Sequence, residues 1–200
     1  ELCKNPELAS EVALGPIQDF DFDVSIMFSD LLFPLEALGM GLEYTDKGPR
    51  LEMSLTTETL GLLKTVDDAL PRLAFQKEVL EVTRSKLAND KRLIGFVGGP
   101  WTLYVYATEG GHSGNLIKAK CQPELFRNFC ETLVPLLIEN IELQLEGGAE
   151  LVMIFDTAAG EVSPEFYKEW ILPTLNNLVA HFPKQLGYYS KGTTAAHYEG

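Results

Sequence analysis

Leu93-Ile94-Gly95-Phe96-Val97-Gly98-Gly99-Pro100-Trp101-Thr102-Leu103 is the stretch on which the fold turns. Its first five residues form an apolar run of strand length, far too short to span a bilayer. Two glycines follow, then a proline, a residue favoured in the first turn of a helix. A strand that passes through a tight turn into a helix is half of a βαβ unit. Short apolar runs at residues 24–28, 151–155 and 185–189 repeat the theme. Near-continuous apolar runs are expected of parallel strands buried on both faces.

The segments between these runs carry helical spacing. Leu73, Leu80 and Leu87 recur every seven residues, with Asn89-Asp90 as a stop. Leu125, Phe129, Leu133, Leu137, Ile141 and Leu145 recur every four, and Gly147-Gly148 closes that helix. Pro135 lies inside it, where a kink is expected. Ser163-Pro164-Glu165 reads as a cap, a first-turn proline and an acidic first turn, leading into a helix that buries Phe166, Trp170 and Leu178. Lys47-Gly48-Pro49 reads as a turn closing a small hairpin after Gly39-Met40-Gly41. The expectation is an α/β fold with a parallel sheet, in a single domain over residues 1–200. A doubly wound sheet and a barrel both satisfy the pattern.

Composition narrows the function. A net charge of −13 disfavours nucleic acid and anionic membranes as partners, because both demand basic surface. Cys3, Cys121 and Cys130 are an odd number without CxxC spacing, which argues against a disulfide framework and against a cysteine zinc cluster. A reducing cytoplasm is the expected compartment. No signal-like segment opens the chain, and Glu1 and Gly200 suggest a chain cut at both ends.

In a parallel sheet of either kind the site lies beyond the carboxyl ends of the strands. Ser29-Asp30, Gly98-Gly99-Pro100-Trp101, Asp156-Thr157 and Ser190-Lys191-Gly192 stand there. Asp30 sits between Phe28 and Leu31-Leu32-Phe33, a costly place for a carboxylate without a partner. From spacing alone it is either a helix N-cap or a site residue. Asp30 and Asp156 could also form a two-carboxylate site of the glycosidase kind. Gly98-Gly99 fits no dinucleotide or P-loop pattern. Tyr104 and Tyr106 suit core packing with a wetted hydroxyl. His112, His181 and His197 lack metal-ligand spacing, and His181 suits a helix C-terminus.

Together these segments resemble a known family. Phe28-Ser29-Asp30-Leu31-Leu32 with Leu38-Gly39-Met40 is similar to the Phe-Ser-Asp-Ile-Leu and Leu-Gly-Met segment of uroporphyrinogen decarboxylases. Gly95-Phe96-Val97-Gly98-Gly99-Pro100-Trp101-Thr102-Leu103 resembles their Gly-Phe-x-Gly-x-Pro-Trp-Thr-Leu block, with Tyr106 and Glu109-Gly110-Gly111 following as in the family. Phe155-Asp156-Thr157-Ala158-Ala159-Gly160 resembles their Phe-(Asp/Glu)-(Ser/Thr)-x-x-Gly turn. The resemblance runs collinearly from about residue 1 to about residue 192. It departs where His112 replaces a glycine and Ala158 a bulkier residue. The family's Arg-Gln-Ala-Gly-Arg segment, which binds substrate carboxylates, and its later strands have no counterpart in these 200 residues.

The resemblance implies an incomplete (β/α)8 TIM barrel, lacking an N-terminal segment and the last strands. It implies a carboxy-lyase that removes four acetate carboxyl groups from uroporphyrinogen to give coproporphyrinogen, in tetrapyrrole and haem biosynthesis. No cofactor and no metal are implied. Asp30 is then the expected catalytic residue, with Asp30, Tyr106, Thr157 and Phe155 binding substrate, and a homodimer the expected full-length state. Two alternatives stand beside it. One is a corrinoid-linked methyltransferase of the same fold, although no cysteine follows a histidine at the His-x-Cys spacing such enzymes use for zinc. The other is a non-enzymatic truncated barrel, whose open sheet edges would make the isolated chain inactive or poorly folded.

Overall fold

The computed structural model describes residues 2–46, 48–112 and 114–199. Lys47 of the expected turn and Ser113 of the glycine-rich loop lie outside the described residues, as do Glu1 and Gly200. The main elements are α1 (Pro6–Phe20), β1 (Val24–Ile26), β2 (Glu43–Thr45), β3 (Gly48–Arg50), α2 (Ala74–Lys86), β4 (Arg92–Gly98), α3 (Pro100–Glu109), α4 (Pro123–Glu146), β5 (Leu151–Asp156), α5 (Leu172–Ala180) and β6 (Leu186–Ser190). Each expected strand is present, with ends shifted by one or two residues.

Strand order separates the two architectures left open by the sequence. The four parallel strands lie in the order β1-β4-β5-β6, each beside its predecessor in the chain once the separate β2–β3 hairpin is set aside. A doubly wound sheet reverses direction at a switch point. These strands advance one way only, which is the winding of a barrel wall. The sheet is an incomplete (β/α)8 barrel, with β1 and β6 as its outer strands.

The two faces of the sheet differ. On β5, Val152, Ile154 and Asp156 are buried, while Leu151, Met153 and Phe155 are half-buried. Period-2 alternation sends the first set toward the helices and the second toward the concave face. Among the described residues the helix-facing side is the more deeply buried of the two. Phe96 and Phe155 meet each other on the concave face at 5.4 Å between ring centroids.

Helices pack as their spacing requires. Leu73, Leu80 and Leu87 are buried, as are Leu125, Phe129, Leu133, Leu137 and Ile141 of α4. The α4 ladder continues past Pro135 to Glu146, so the proline does not end the helix. Ser163 caps its helix by accepting from the Phe166 N–H at 3.2 Å, and the turn Tyr167–Ile171 then widens before α5. Pro173 explains the widening, since it cannot donate to the Glu169 carbonyl. Leu178 is buried there, with Phe166 and Trp170 packed partly buried against the core.

Candidate functional site

Asp30 stands four residues beyond the end of β1. The short helical segment Phe33–Leu35 begins after Leu32, which makes no side-chain cap bond. Asp30 is therefore not the helix N-cap that spacing allowed. One carboxylate oxygen, Oδ1, instead accepts from the Leu32 N–H at 2.7 Å, an Asx turn. That bond fixes the carboxylate at the strand end and leaves capacity on Oδ2. Beside it, Ser29 Oγ accepts from Gln76 Nε2 at 3.1 Å, and Gln76 Oε1 accepts from Gln144 Nε2 at 3.2 Å. A buried amide chain thus ties the β1 strand end to α2 and α4.

A cavity of ≈ 350 Å³ opens over the carboxyl ends of the strands. Ser29, Asp30, Pro49, Phe96, Tyr106 and Phe155 line it, with Leu31 and Leu32 completing the wall. Three of the four residues expected at the site, Asp30, Tyr106 and Phe155, thus meet on one surface. Thr157 lies outside this lining, just past β5, and is partly exposed. Among the described residues the lining has one charged group, Asp30, and no cation.

The field of Asp30 is felt around the cavity. Burial pushes the Tyr106 phenol up, and the nearby Asp30 charge pushes it further. The Cys3 thiol is raised by burial and then by Asp30. Tyr44 on β2 is raised by burial first, then by the charge and hydrogen bonding of the Asp30 carboxylate. All three groups stay protonated at neutral pH. The arrangement is one anion in an apolar cleft with phenols near it, suited to a ligand that offers N–H groups or gains positive charge.

Asp156 points the other way. It is fully buried, with Oδ1 accepting from the Thr102 N–H at 2.9 Å and from Thr102 Oγ1–H at 2.7 Å. Tyr188 O–H donates to Oδ2 at 3.2 Å. Burial raises its pKa, while Thr102 and Tyr188 pull it down. The two-carboxylate reading falls on this geometry, because Asp156 reaches neither solvent nor the cavity. Its role is to brace the strand end that presents Phe155. Gly99 makes this possible: a Cβ there would fall 2.4 Å from Asp156 Cγ.

The turn after β5 is pinned as well. Gly160 lies against Lys191, Gly192 and Thr193 in the loop after β6, and a Cβ on it would come within 2.2 Å of the Lys191 carbonyl oxygen. On the other side, the His112 ring packs edge-on near Tyr106, and its Nε2 contacts Glu161 Oε1. His181 closes α5, its Nδ1 donating to the Asn177 carbonyl at 2.9 Å. His197 is buried in a capping box. The three cysteines are free. Among the described residues no cluster of three or more His, Cys, Asp or Glu could hold a metal ion, and no helix is long and apolar enough to cross a membrane.

Sequence reading missed Phe96 and the hairpin residues Tyr44 and Pro49. Phe96 carried a usable signal, since it stands two positions before Gly98 on an alternating strand. The hairpin carried none, because its place over the sheet is set by tertiary packing.

The family model described as Uroporphyrinogen decarboxylase (URO-D) matches residues 1–200. Proteins named uroporphyrinogen decarboxylase from Psychromonas ingrahamii and Myxococcus xanthus are 36% and 37% identical, each across 90% of this chain and 52% and 53% of their own length. One from Helicobacter pylori is 38% identical across 94% of this chain and 60% of its own. The chain thus spans little more than half the length of the curated relatives it matches. Among solved structures, a methyltransferase from Methanosarcina mazei superposes with a TM-score of 0.81 over 96% of this chain and 58% of its own, at 18% identity, a likeness of fold alone. Matched along its whole length by the family model, the chain belongs to the uroporphyrinogen decarboxylase family.

Proposed function

We propose that these residues form part of a cofactor-free uroporphyrinogen decarboxylase, which converts the four acetate arms of uroporphyrinogen to methyl groups and yields coproporphyrinogen. The observation that carries this reading is the meeting of Asp30, Tyr106 and Phe155 on one apolar cavity at the carboxyl end of the sheet. A proton added to a pyrrole carbon makes the ring cationic. The C–CO2 bond then breaks, its electron pair enters the ring, and CO2 leaves. Protonation of the exocyclic carbon completes the methyl group and the ring carbon gives back the proton it took, so the ring is neutral again and each arm consumes one proton overall. Asp30 accepts hydrogen bonds from pyrrole N–H groups and stabilises the cationic ring, an interaction that the low-dielectric wall of Phe96 and Phe155 strengthens. Tyr106 and Thr157 hydrogen-bond the carboxylate arms. Residues 1–200 act as one partial-barrel domain, and the full-length protein works as a cytoplasmic homodimer.

The test uses the full-length protein under anaerobic conditions. Wild type converts uroporphyrinogen to coproporphyrinogen, and Asp30→Asn lowers kcat by about 10²–10³ with circular dichroism and unfolding unchanged. Near-normal turnover by Asp30→Asn would remove Asp30 from the mechanism. Stoichiometric zinc together with methyl transfer to a corrinoid would replace the decarboxylase reading with the methyltransferase one.

A further inference from the structure

The proposed substrate is a polyanion, yet the described lining of the Asp30 cavity holds no cation and the chain carries −13. The β2–β3 hairpin carries an arginine, Arg50, in the lining of a second cavity. Its register pairs Tyr44 with Pro49 and Glu43 with Arg50. Cross-strand partners share a face. The Tyr44–Pro49 face turns toward Asp30, whose charge Tyr44 feels and whose cavity Pro49 lines, and the Glu43–Arg50 pair lies on the other face. Pro49 is also a wall of the second cavity, of ≈ 470 Å³, which includes Arg50, Asp46 and Gly110. Gly110 ends the helix that presents Tyr106, its N–H donating to the Tyr106 carbonyl at 3.0 Å. The two cavities are thus neighbours across one proline, framed by the same hairpin and the same helix.

We infer that Arg50 forms a subsite for a carboxylate arm of an anionic ligand that fills the Asp30 cavity and extends past Pro49 into the second one. This rests on the tetrapyrrole reading above and adds a binding residue to it. Among the described residues Arg50 makes no ion pair within 4.0 Å, neither with Glu43 opposite nor with Asp46 on the same wall. Its guanidinium is exposed and keeps its five donors available for a carboxylate. Glu43 and Asp46 cancel its field at a distance, so it acts at contact range, through a paired N–H···O fork. Long-range attraction of a polyanion is weak on such a surface, and selection falls to this local bond. The ligand has to be large and multiply charged: one part rests on the aromatic wall beside Asp30 while an arm reaches Arg50.

The experiment compares wild type, Arg50→Gln and Arg50→Lys in the full-length protein, with two readouts. Binding of uroporphyrin, the stable oxidised octacarboxylate, is followed by its fluorescence at about 0.15 M salt. Turnover of uroporphyrinogen is followed separately. Arg50→Gln weakens uroporphyrin binding by about ten-fold or more, as expected for one lost charge-assisted bond, and raises KM alike with the loss falling on KM rather than kcat. Arg50→Lys recovers part of it. Uroporphyrin binding within two-fold of wild type in Arg50→Gln overturns the subsite. Absence of uroporphyrinogen turnover by wild type sinks the decarboxylase reading instead, and leaves the binding comparison to decide whether Arg50 holds a polycarboxylate.

Discussion

Replacing Thr102 by valine tests the brace beneath the site. Thr102 Oγ1 donates to Asp156 Oδ1 at 2.7 Å and accepts from the Ala158 N–H at 3.0 Å, all within the interior. Valine keeps the side-chain shape and removes both bonds. Loss of a bond to a charged acceptor costs about 1.5–3 kcal/mol, and a stranded buried N–H costs about 1–3 kcal/mol, so the substitution is expected to destabilise by about 3–5 kcal/mol at neutral pH. The pH dependence follows from Asp156. Burial holds its folded pKa above its unfolded value, so the native state binds the extra proton. The stability this confers is present at low pH and is lost as pH rises through the folded pKa. Thr102 favours the ionised form, so removing it lifts that pKa further and deepens the loss on the alkaline side. Urea unfolding of the full-length protein at pH 7.5 and pH 5 measures both effects. A cost below about 1 kcal/mol at pH 7.5 refutes the brace. A cost that grows on acidification refutes the assignment of Asp156 as its charged partner.

Two further outcomes are expected. Gly99→Ala adds a Cβ 2.4 Å from Asp156 Cγ at a backbone φ of −63°, which alanine accepts, so the whole penalty is steric. It should cost at least about 1–3 kcal/mol of unfolding free energy, and an unchanged denaturation midpoint would contradict the close approach. The 200-residue chain expressed alone should self-associate, because Val24 and Ile26 on outer strand β1 are exposed at 43% and 41% beside exposed Phe20 and Phe22. Light scattering should fall when Val24→Lys and Ile26→Lys are introduced together; a monomeric, soluble parent chain would count against this.

Local features were legible in the sequence, and long-range ones were not. The strands at residues 92–98 and 151–156 could be read because an apolar run ending in Gly or Asp needs no information from elsewhere. The difference between barrel and doubly wound sheet lies in the pairing of Ser25 with Leu93, which no window of sequence contains. Asp30 stayed ambiguous by spacing, since a cap, an Asx turn and a site carboxylate look alike there. The resemblance singled it out. Asp156 was misjudged as a possible partner of Asp30, although parity held the answer: it shares its side of β5 with Val152 and Ile154, and Phe155 shares the other with Met153. Arg50 and Tyr44 could not be placed at all, because a hairpin's sequence fixes its register but not what it leans on.

The close approach of Gly160 to the Lys191–Thr193 backbone couples the turns after β5 and β6, since any side chain there would meet backbone. A side chain at position 160 would have to displace the loop after β6, because backbone has no rotamer to change. The hairpin bank differs in kind, because it meets the cavity through side chains, with Pro49 in its lining and Tyr44 within the field of Asp30. Tolerance of substitution around the cleft is therefore uneven, and it is low at Gly160, where a side chain cannot be accommodated without moving backbone.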